Sequence, residues 1–207
     1  YAPNVSMSKQ FGIGRWTLID FAKAVREGVS PQGEHYYPVF PYTSYSKMED
    51  QDLVDLWGFW KTLPSIEYKN KQHKLKWPFS IRENIGLWKI AHFSRKFVGN
   101  DDFSRGRYLS EALFHCAECH TPRNIFGGLQ KKRWMQGGKN PVSDGTIPNI
   151  TAANLKWSSA EISEYLLTGF TPDYDVVGGE MALVIENTSR LTQADRDAIS
   201  AYINSLD

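Results

Sequence analysis

The sequence predicts an all-α fold, on three observations. Thr17 with Asp20, and Ser158 with Glu161, each set a hydroxyl three residues ahead of a carboxylate just after a Trp, the pattern of an N-terminal capping box. Apolar residues follow both at helical spacing: Phe21, Ala24 and Val25 after the first, Ile162, Tyr165 and Leu166 after the second. The chain also repeats itself, residues 3–64 echoing residues 148–207 in the same order.

The repeat justifies its helices in turn. Pro3-Asn4-Val5-Ser6 matches Pro148-Asn149-Ile150-Thr151 ahead of each capping box. The first helix of each copy ends at Gly28-Val29-Ser30-Pro31 or Gly169-Phe170-Thr171-Pro172, a glycine stop with a proline beyond it. Met48-Glu49-Asp50-Gln51-Asp52 matches Leu191-Thr192-Gln193-Ala194-Asp195 and opens the last helix of each copy, where Asp52 and Asp195 suit the helix dipole. Leu53, Leu56, Trp57 and Trp60 give that helix its apolar face in the first copy; Ile199, Tyr202, Ile203 and Leu206 do so in the second. A further helix over about residues 104–118 precedes the second copy, with Tyr108, Leu109, Ala112 and Leu113 on its inner side.

Composition narrows the function. The 207 residues hold 24 Lys+Arg against 23 Asp+Glu, so no broad electrostatic footprint for nucleic acid exists. The 41% hydrophobic and 14% aromatic content supports a buried core rather than disorder. No apolar run is long enough for a transmembrane segment. The chain opens on Tyr1 and shows no signal peptide, so a processed protein or a fragment is expected.

Both cysteines fall in Cys116-Ala117-Glu118-Cys119-His120, the spacing for covalent attachment of a c-type haem. Two thiols three positions apart at a helix end reach the two vinyl groups of one porphyrin, and the adjacent imidazole presents a nitrogen to iron. A structural zinc site would need two further ligands, with no other Cys available. A redox CxxC would need a βαβ context that the sequence lacks. Of Met7, Met48, Met135 and Met181, Met181 is the expected distal ligand: it returns from a distant segment, in a loop between two predicted helices. Met135 follows the basic run Lys131-Lys132-Arg133-Trp134 close to the attachment site and reads as packing.

The first copy has no preceding helix and no CxxCH, so by itself it would have a poor core. Residues 1–63 therefore read as the C-terminal half of a first haem domain, whose attachment site lies upstream of Tyr1 or has been lost. Residues 64–97 read as an ordered, aromatic-rich linker holding Trp77, Pro78, Phe79, Trp88 and Phe93, and residues 98–207 as a complete domain. The basic stretch of the linker, Lys69-Asn70-Lys71-Gln72-His73-Lys74-Leu75-Lys76, reads as a solvated loop, with a docking patch for an acidic partner as the rival reading.

Several segments together resemble one family. His35-Tyr36-Tyr37-Pro38-Val39-Phe40-Pro41-Tyr42, Trp77-Pro78-Phe79-Ser80-Ile81-Arg82, Arg105-Gly106-Arg107-Tyr108-Leu109, His115 through Asn124, Gly179-Glu180-Met181-Ala182 and Asn187-Thr188-Ser189-Arg190-Leu191-Thr192 are similar to the multihaem cytochrome c subunits of bacterial membrane-bound dehydrogenases, which serve alcohol, gluconate, sorbitol, fructose and aldehyde dehydrogenases. The resemblance implies tandem class I cytochrome c-like domains, the first present only as its C-terminal half. It implies haem c held by thioethers to Cys116 and Cys119, with His120 proximal and Met181 distal. Pro148 would accept a hydrogen bond from the His120 ring, and Arg123, Trp157 and Tyr165 would touch propionates or ring edge. In the first copy Phe40 stands where many relatives carry Met; Met48 is the implied distal ligand of a second haem, with His35 as runner-up, and the repeat aligns Met48 with Leu191 rather than Met181.

The function expected is outer-sphere electron transfer by a non-catalytic subunit. Electrons would come from a flavin- or quinoprotein dehydrogenase subunit and leave to membrane quinone or another cytochrome. A dihaem enzyme with an open or labile haem site, of peroxidase or thiosulfate-oxidising type, is the alternative. Haem attachment outside the cytoplasm implies a periplasmic protein at the outer face of the cytoplasmic membrane.

Overall fold

The computed structural model describes every residue except Lys76, Pro78, Phe79 and residues 141–143. Lys76 of the basic stretch and Pro78 and Phe79 of the linker motif thus lie outside the described residues. The chain forms two compact units, Tyr1–Arg95 and Lys96–Asp207.

The first unit holds α1 (Leu18–Glu27), α2 (Tyr42–Tyr45), α3 (Asp50–Trp60) and α4 (Glu83–His92). The Thr17 hydroxyl accepts from the Asp20 N–H while the Asp20 carboxylate accepts from the Thr17 N–H, closing the capping box read from the sequence. The stripe of α1 buries Phe21, Ala24 and Val25, and Phe21 packs on Trp57 of α3 with ring centroids 4.8 Å apart. Only Leu53 and Trp57 of α3 are fully buried; Leu56 and Trp60 stay half-exposed, because the helix is packed on one side only. Residues 66–70 are tied to the chain start: the Asn4 amide donates to the carbonyls of Ile66 and Tyr68. Helix α4 is fixed by Lys89, whose ammonium donates to the carbonyls of Glu27 and Gly28 at 2.6 and 2.8 Å and so satisfies the C-terminal end of α1.

The second unit holds α5 (Ser104–Tyr108), α6 (Cys116–His120), the hairpin β1 (Gly138–Lys139) with β2 (Thr146–Ile147), α7 (Ala152–Leu155), α8 (Ser159–Thr168), α9 (Glu180–Thr188) and α10 (Gln193–Asn204). The single helix expected over 104–118 is not continuous. Residues Leu109–Leu113 widen to a π-turn, and His115 takes a left-handed φ of 43° that ends the run and restarts it as α6. Leu109, Ile162, Leu166, Ile185, Ile199 and Ile203 form one buried cluster; Ala117, Met135, Tyr202 and Leu206 form another.

The repeat reappears as shared geometry. Gly28 and Gly169 end α1 and α8 in the left-handed region, where a side chain would be strained. A closed loop follows each: Tyr36 N–H donates to Gly28 at 2.7 Å and Val177 N–H to Gly169 at 2.8 Å, with bridges Val29–His35 and Phe170–Val176 inside them. Ahead of the helices, Asn4 accepts from Ser6 N–H and Asn149 from Thr151 N–H in matching turns.

Candidate haem-binding site

Cys116, Cys119 and His120 share the short helix α6. The left-handed His115 ends the preceding run and starts the turn that carries both thiols, with Cys116 packed against the cluster of Ala117, Met135, Tyr202 and Leu206. Neither Cys is in a disulfide; Cys116 is half-buried beside Ala117, and Cys119 is exposed. Burial, above all, raises the Cys116 thiol to about 12, and burial followed by the Glu118 carboxylate raises that of Cys119. Glu180, in the first turn of α9, adds a little to the effect on Cys119.

The His120 ring nitrogen Nδ1 lies 2.9 Å from the Pro148 carbonyl oxygen. A carbonyl only accepts, so Nδ1 carries the proton and Nε2 keeps its lone pair for a metal. Burial holds the imidazole below its ordinary range, with the Pro148 bond opposing. The His120 backbone is fixed as well: its carbonyl accepts from Gly137 N–H at 2.6 Å. Thr121 accepts the Met135 N–H at 3.0 Å through Oγ1.

Met181 is half-buried against the same core as Trp157, Tyr165, Leu113, Phe114 and Val177. The loop expected around it is a helix: Met181 is the second residue of α9, because Gly179 supplies the turn that starts the helix there. Met135 is fully buried with Ala117, Tyr202 and Leu206, which is packing, as read from the sequence. Trp157 and Tyr165 meet edge to face at 5.3 Å. Arg123 is committed locally: it donates to the Gly127 carbonyl at 2.9 Å and to the Glu118 carboxylate at 2.6 Å.

In the first unit Met48 is buried, and its carbonyl accepts from Arg26. His35 is half-exposed, with residues of α4 beside both ring nitrogens. Lys89 Nζ stands 3.1 Å from its Nδ1, and a Cβ on Gly86 would lie 3.0 Å from its Nε2.

Three features escaped the sequence reading. Glu111 is 1% exposed and accepts from Val98 N–H, Gly99 N–H and the Tyr202 hydroxyl. Its place three residues after Tyr108, on the inner face of the predicted helix, was the available signal. The π-turn and the left-handed His115 had none, since neither position is a Gly or Asn.

These residues fit a haem c. Two unpaired thiols sit one helical turn apart, an imidazole has its outer nitrogen already oriented, and half-exposed apolar side chains lack a cover. Among the described residues no three His, Cys, Asp or Glu side chains converge as ligands of a single ion would. Nor is any described helix long and apolar enough to cross a membrane.

The cytochrome c family model matches residues 104–207. The chain is 50% identical over 208 residues to a diheme cytochrome c-type protein of Cereibacter sphaeroides, covering 99% of this chain and 70% of that one. It is 36% identical to the fructose dehydrogenase cytochrome subunit of Gluconobacter japonicus and 31% identical to the gluconate 2-dehydrogenase cytochrome c subunit of Pantoea cypripedii. Both alignments cover 100% of this chain, which spans only 44% and 51% of those two proteins. The chain belongs to the cytochrome c family, whose domain holds haem c covalently, and it is homologous to the cytochrome subunits of dehydrogenases, which points to electron transfer.

Proposed function

We propose that this chain passes electrons from a flavin- or quinoprotein dehydrogenase subunit to membrane quinone or another cytochrome, working at the periplasmic face of the cytoplasmic membrane. The observation that carries the proposal is the arrangement of α6: two free thiols and an imidazole whose Nδ1 is spent on Pro148.

Haem c, when bound, supplies reversible one-electron chemistry at its iron. The chain's own residues then have distinct tasks. Cys116 and Cys119 hold the group by thioethers. His120 presents Nε2, and its bond to Pro148 fixes the ring and raises its donor strength. Met181, in the first turn of α9, would supply the second protein ligand to the iron. An iron held by both His120 and Met181 would offer no position to a substrate, which supports electron transfer over catalysis. Trp157 and Tyr165 provide an apolar wall, and Arg123, anchored on Glu118, is placed to receive a carboxylate.

Residues 1–63 are read as the C-terminal half of a first such domain, 64–97 as the linker and 98–207 as the complete domain. The shared loop and turn geometry of the two copies supports this. Met48 is the distal ligand in the first domain. His35, flanked by Lys89 and Gly86, is the poorer candidate.

The test is rapid mixing of the oxidised cytochrome with a purified, substrate-reduced dehydrogenase of these classes. Reduction of the haem within the turnover time of the dehydrogenase is the expected result. A haem that stays oxidised with every such donor contradicts the proposal.

A further inference from the structure

The segment after the attachment helix is charged unlike the rest of the chain. Residues 119–140 hold Arg123, Lys131, Lys132, Arg133 and Lys139 and no Asp or Glu, in a chain whose formal net charge is +1. Among the described residues, Arg123 alone of these five meets a carboxylate, that of Glu118 at 2.6 Å. Lys131, Lys132 and Arg133 stand together in one exposed 3-10 turn.

A short closed loop carries this basic turn at its foot and two apolar side chains at its tip. Arg123 and Leu129 bridge its two limbs, and the Asn124 N–H donates to the Gly128 carbonyl at 2.9 Å. The Gly127 N–H donates to the Asn124 carbonyl, so Ile125 and Phe126 are the two central residues of a tight turn. The Asn124 side chain also accepts from the N–H groups of Phe126 and Gly128, at 2.9 and 3.0 Å. At the foot the Gln130 N–H donates to Pro122 and its amide to Arg123, which fixes where the basic turn leaves the loop. Turn centres favour Gly, Pro, Asn, Asp and Ser. Here they are Ile125, 93% exposed, and Phe126, 69% exposed. The loop's own hydrogen bonds hold these two side chains out into water, and nothing in the turn needs them to be apolar.

We infer that residues 123–133 form a docking surface for an anionic phospholipid layer, with Ile125 and Phe126 entering the acyl boundary and Lys131, Lys132 and Arg133 lying at the headgroups. The order of the two zones favours lipid over an acidic protein. The cations stand at the foot, behind an apolar tip that meets the partner first. Two to three residues of extended chain separate tip from foot, about 7–10 Å. An interfacial apolar group sits about 5–10 Å into the headgroup and acyl boundary, so both zones are reached together. Each cation near an anionic surface adds to the attraction, and two apolar side chains add a second, salt-insensitive part. This inference rests on the reading that the chain works at a membrane face, and it adds the residues that hold it there.

The experiment is co-sedimentation of the haem-loaded chain with vesicles of phosphatidylcholine alone or of phosphatidylcholine mixed with phosphatidylglycerol. The expected result is binding to the mixed vesicles and not to the neutral ones. Ile125→Ser with Phe126→Ser should weaken that binding at least about tenfold, and so should Lys131→Gln, Lys132→Gln and Arg133→Gln together. No binding by the parent chain, equal binding to both vesicles, or variants that bind as the parent does each overturn the inference. A measurement on the unsubstituted chain guards against a misfolded variant. Lys131 and Lys132 should be acetylated at least about tenfold more slowly with the mixed vesicles than without them; equal rates overturn the inference. A parent chain that ignores the vesicles, with a basic-turn variant no longer reduced by the dehydrogenase, assigns the surface to an acidic protein instead and also overturns it. Rapid mixing with the dehydrogenase contains no vesicles, so the two readings fail independently.

Discussion

The Nδ1 of His120 lies 2.9 Å from the carbonyl oxygen of Pro148, and the backbone that holds that carbonyl in place turns at Gly137. Gly137 has φ +70°, and a Cβ there would lie 2.5 Å from the Ile147 carbonyl oxygen and 2.6 Å from the Pro148 carbonyl carbon. The substitution Gly137→Ala therefore strains the backbone and pushes Pro148 off His120. The expected cost is about 1–3 kcal/mol by denaturant unfolding. The reduction potential should also rise, because a weaker Nδ1–H bond leaves the imidazole a poorer donor to ferric iron. An unchanged potential in a destabilised variant would separate the two effects and remove the tuning role of Pro148.

Glu111 ties three pieces of the second unit together. It accepts from the loop at Val98 and Gly99 and from Tyr202 on α10, whose hydroxyl also accepts from Trp134 at 3.1 Å. Glu111→Leu strands two backbone N–H groups and a buried hydroxyl, at an expected cost of about 3 kcal/mol or more. Glu111→Gln keeps one acceptor oxygen and should lose less. Urea unfolding of the three proteins checks the order.

The two capping boxes predict a matched response to acid. Hydrogen bonds from the Thr17 backbone and then its hydroxyl hold Asp20 below its ordinary value of 3.8; those from Ser158 hold Glu161 below 4.5. A depressed folded-state value gives stability that is present above the ordinary value and lost as pH falls through the folded one. Asp20→Asn and Glu161→Gln should therefore each lower the thermal midpoint at pH 7. The difference from the parent protein should shrink below the ordinary values of the two carboxyls and vanish only below their lowered folded-state values. A difference that persists unchanged in acid would show that charge plays no part in the caps.

Lys89 gives a slope of the same sign in an alkaline window, where its buried charge costs stability until it is lost. Burial lowers it from 10.5 to about 8, with Glu27 partly opposing. Between those two values the unfolded chain binds more protons than the folded one, so stability rises with pH across that window. Lys89→Met removes this dependence, and it also removes the bonds to the Glu27 and Gly28 carbonyls that dock α4. Unfolding midpoints of both proteins from pH 7 to 10.5 check the slope, and hydrogen exchange of residues 83–92 checks the docking.

Much of this was legible before any coordinates. The capping boxes were readable because a hydroxyl and a carboxylate three residues apart have a single local use. The buried stripe of α1 followed from spacing alone, and so did the tie between Cys116, Cys119 and His120. What escaped depends on contacts distant in sequence. Leu56 and Trp60 of α3 are less buried than their apolar character suggests, because burial is set by which elements pack on the helix and not by its own spacing. The Gly-rich approach to Met181 looks like a loop in the sequence; the glycines only open the turn, and Met181 sits just inside α9. The π-turn before α6, with Leu109 and Ala112 buried in it, is announced by no local pattern.

The most direct test of the whole account is the optical spectrum of the ferric protein, compared with Met181→Ala and Met135→Ala. A low-spin spectrum with a methionine-to-iron band is predicted for the parent protein and for Met135→Ala, with the band lost in Met181→Ala. A high-spin spectrum in the untreated protein, or a band that survives Met181→Ala, would contradict ligation by Met181 and favour an open-site haem enzyme over an electron-transfer subunit.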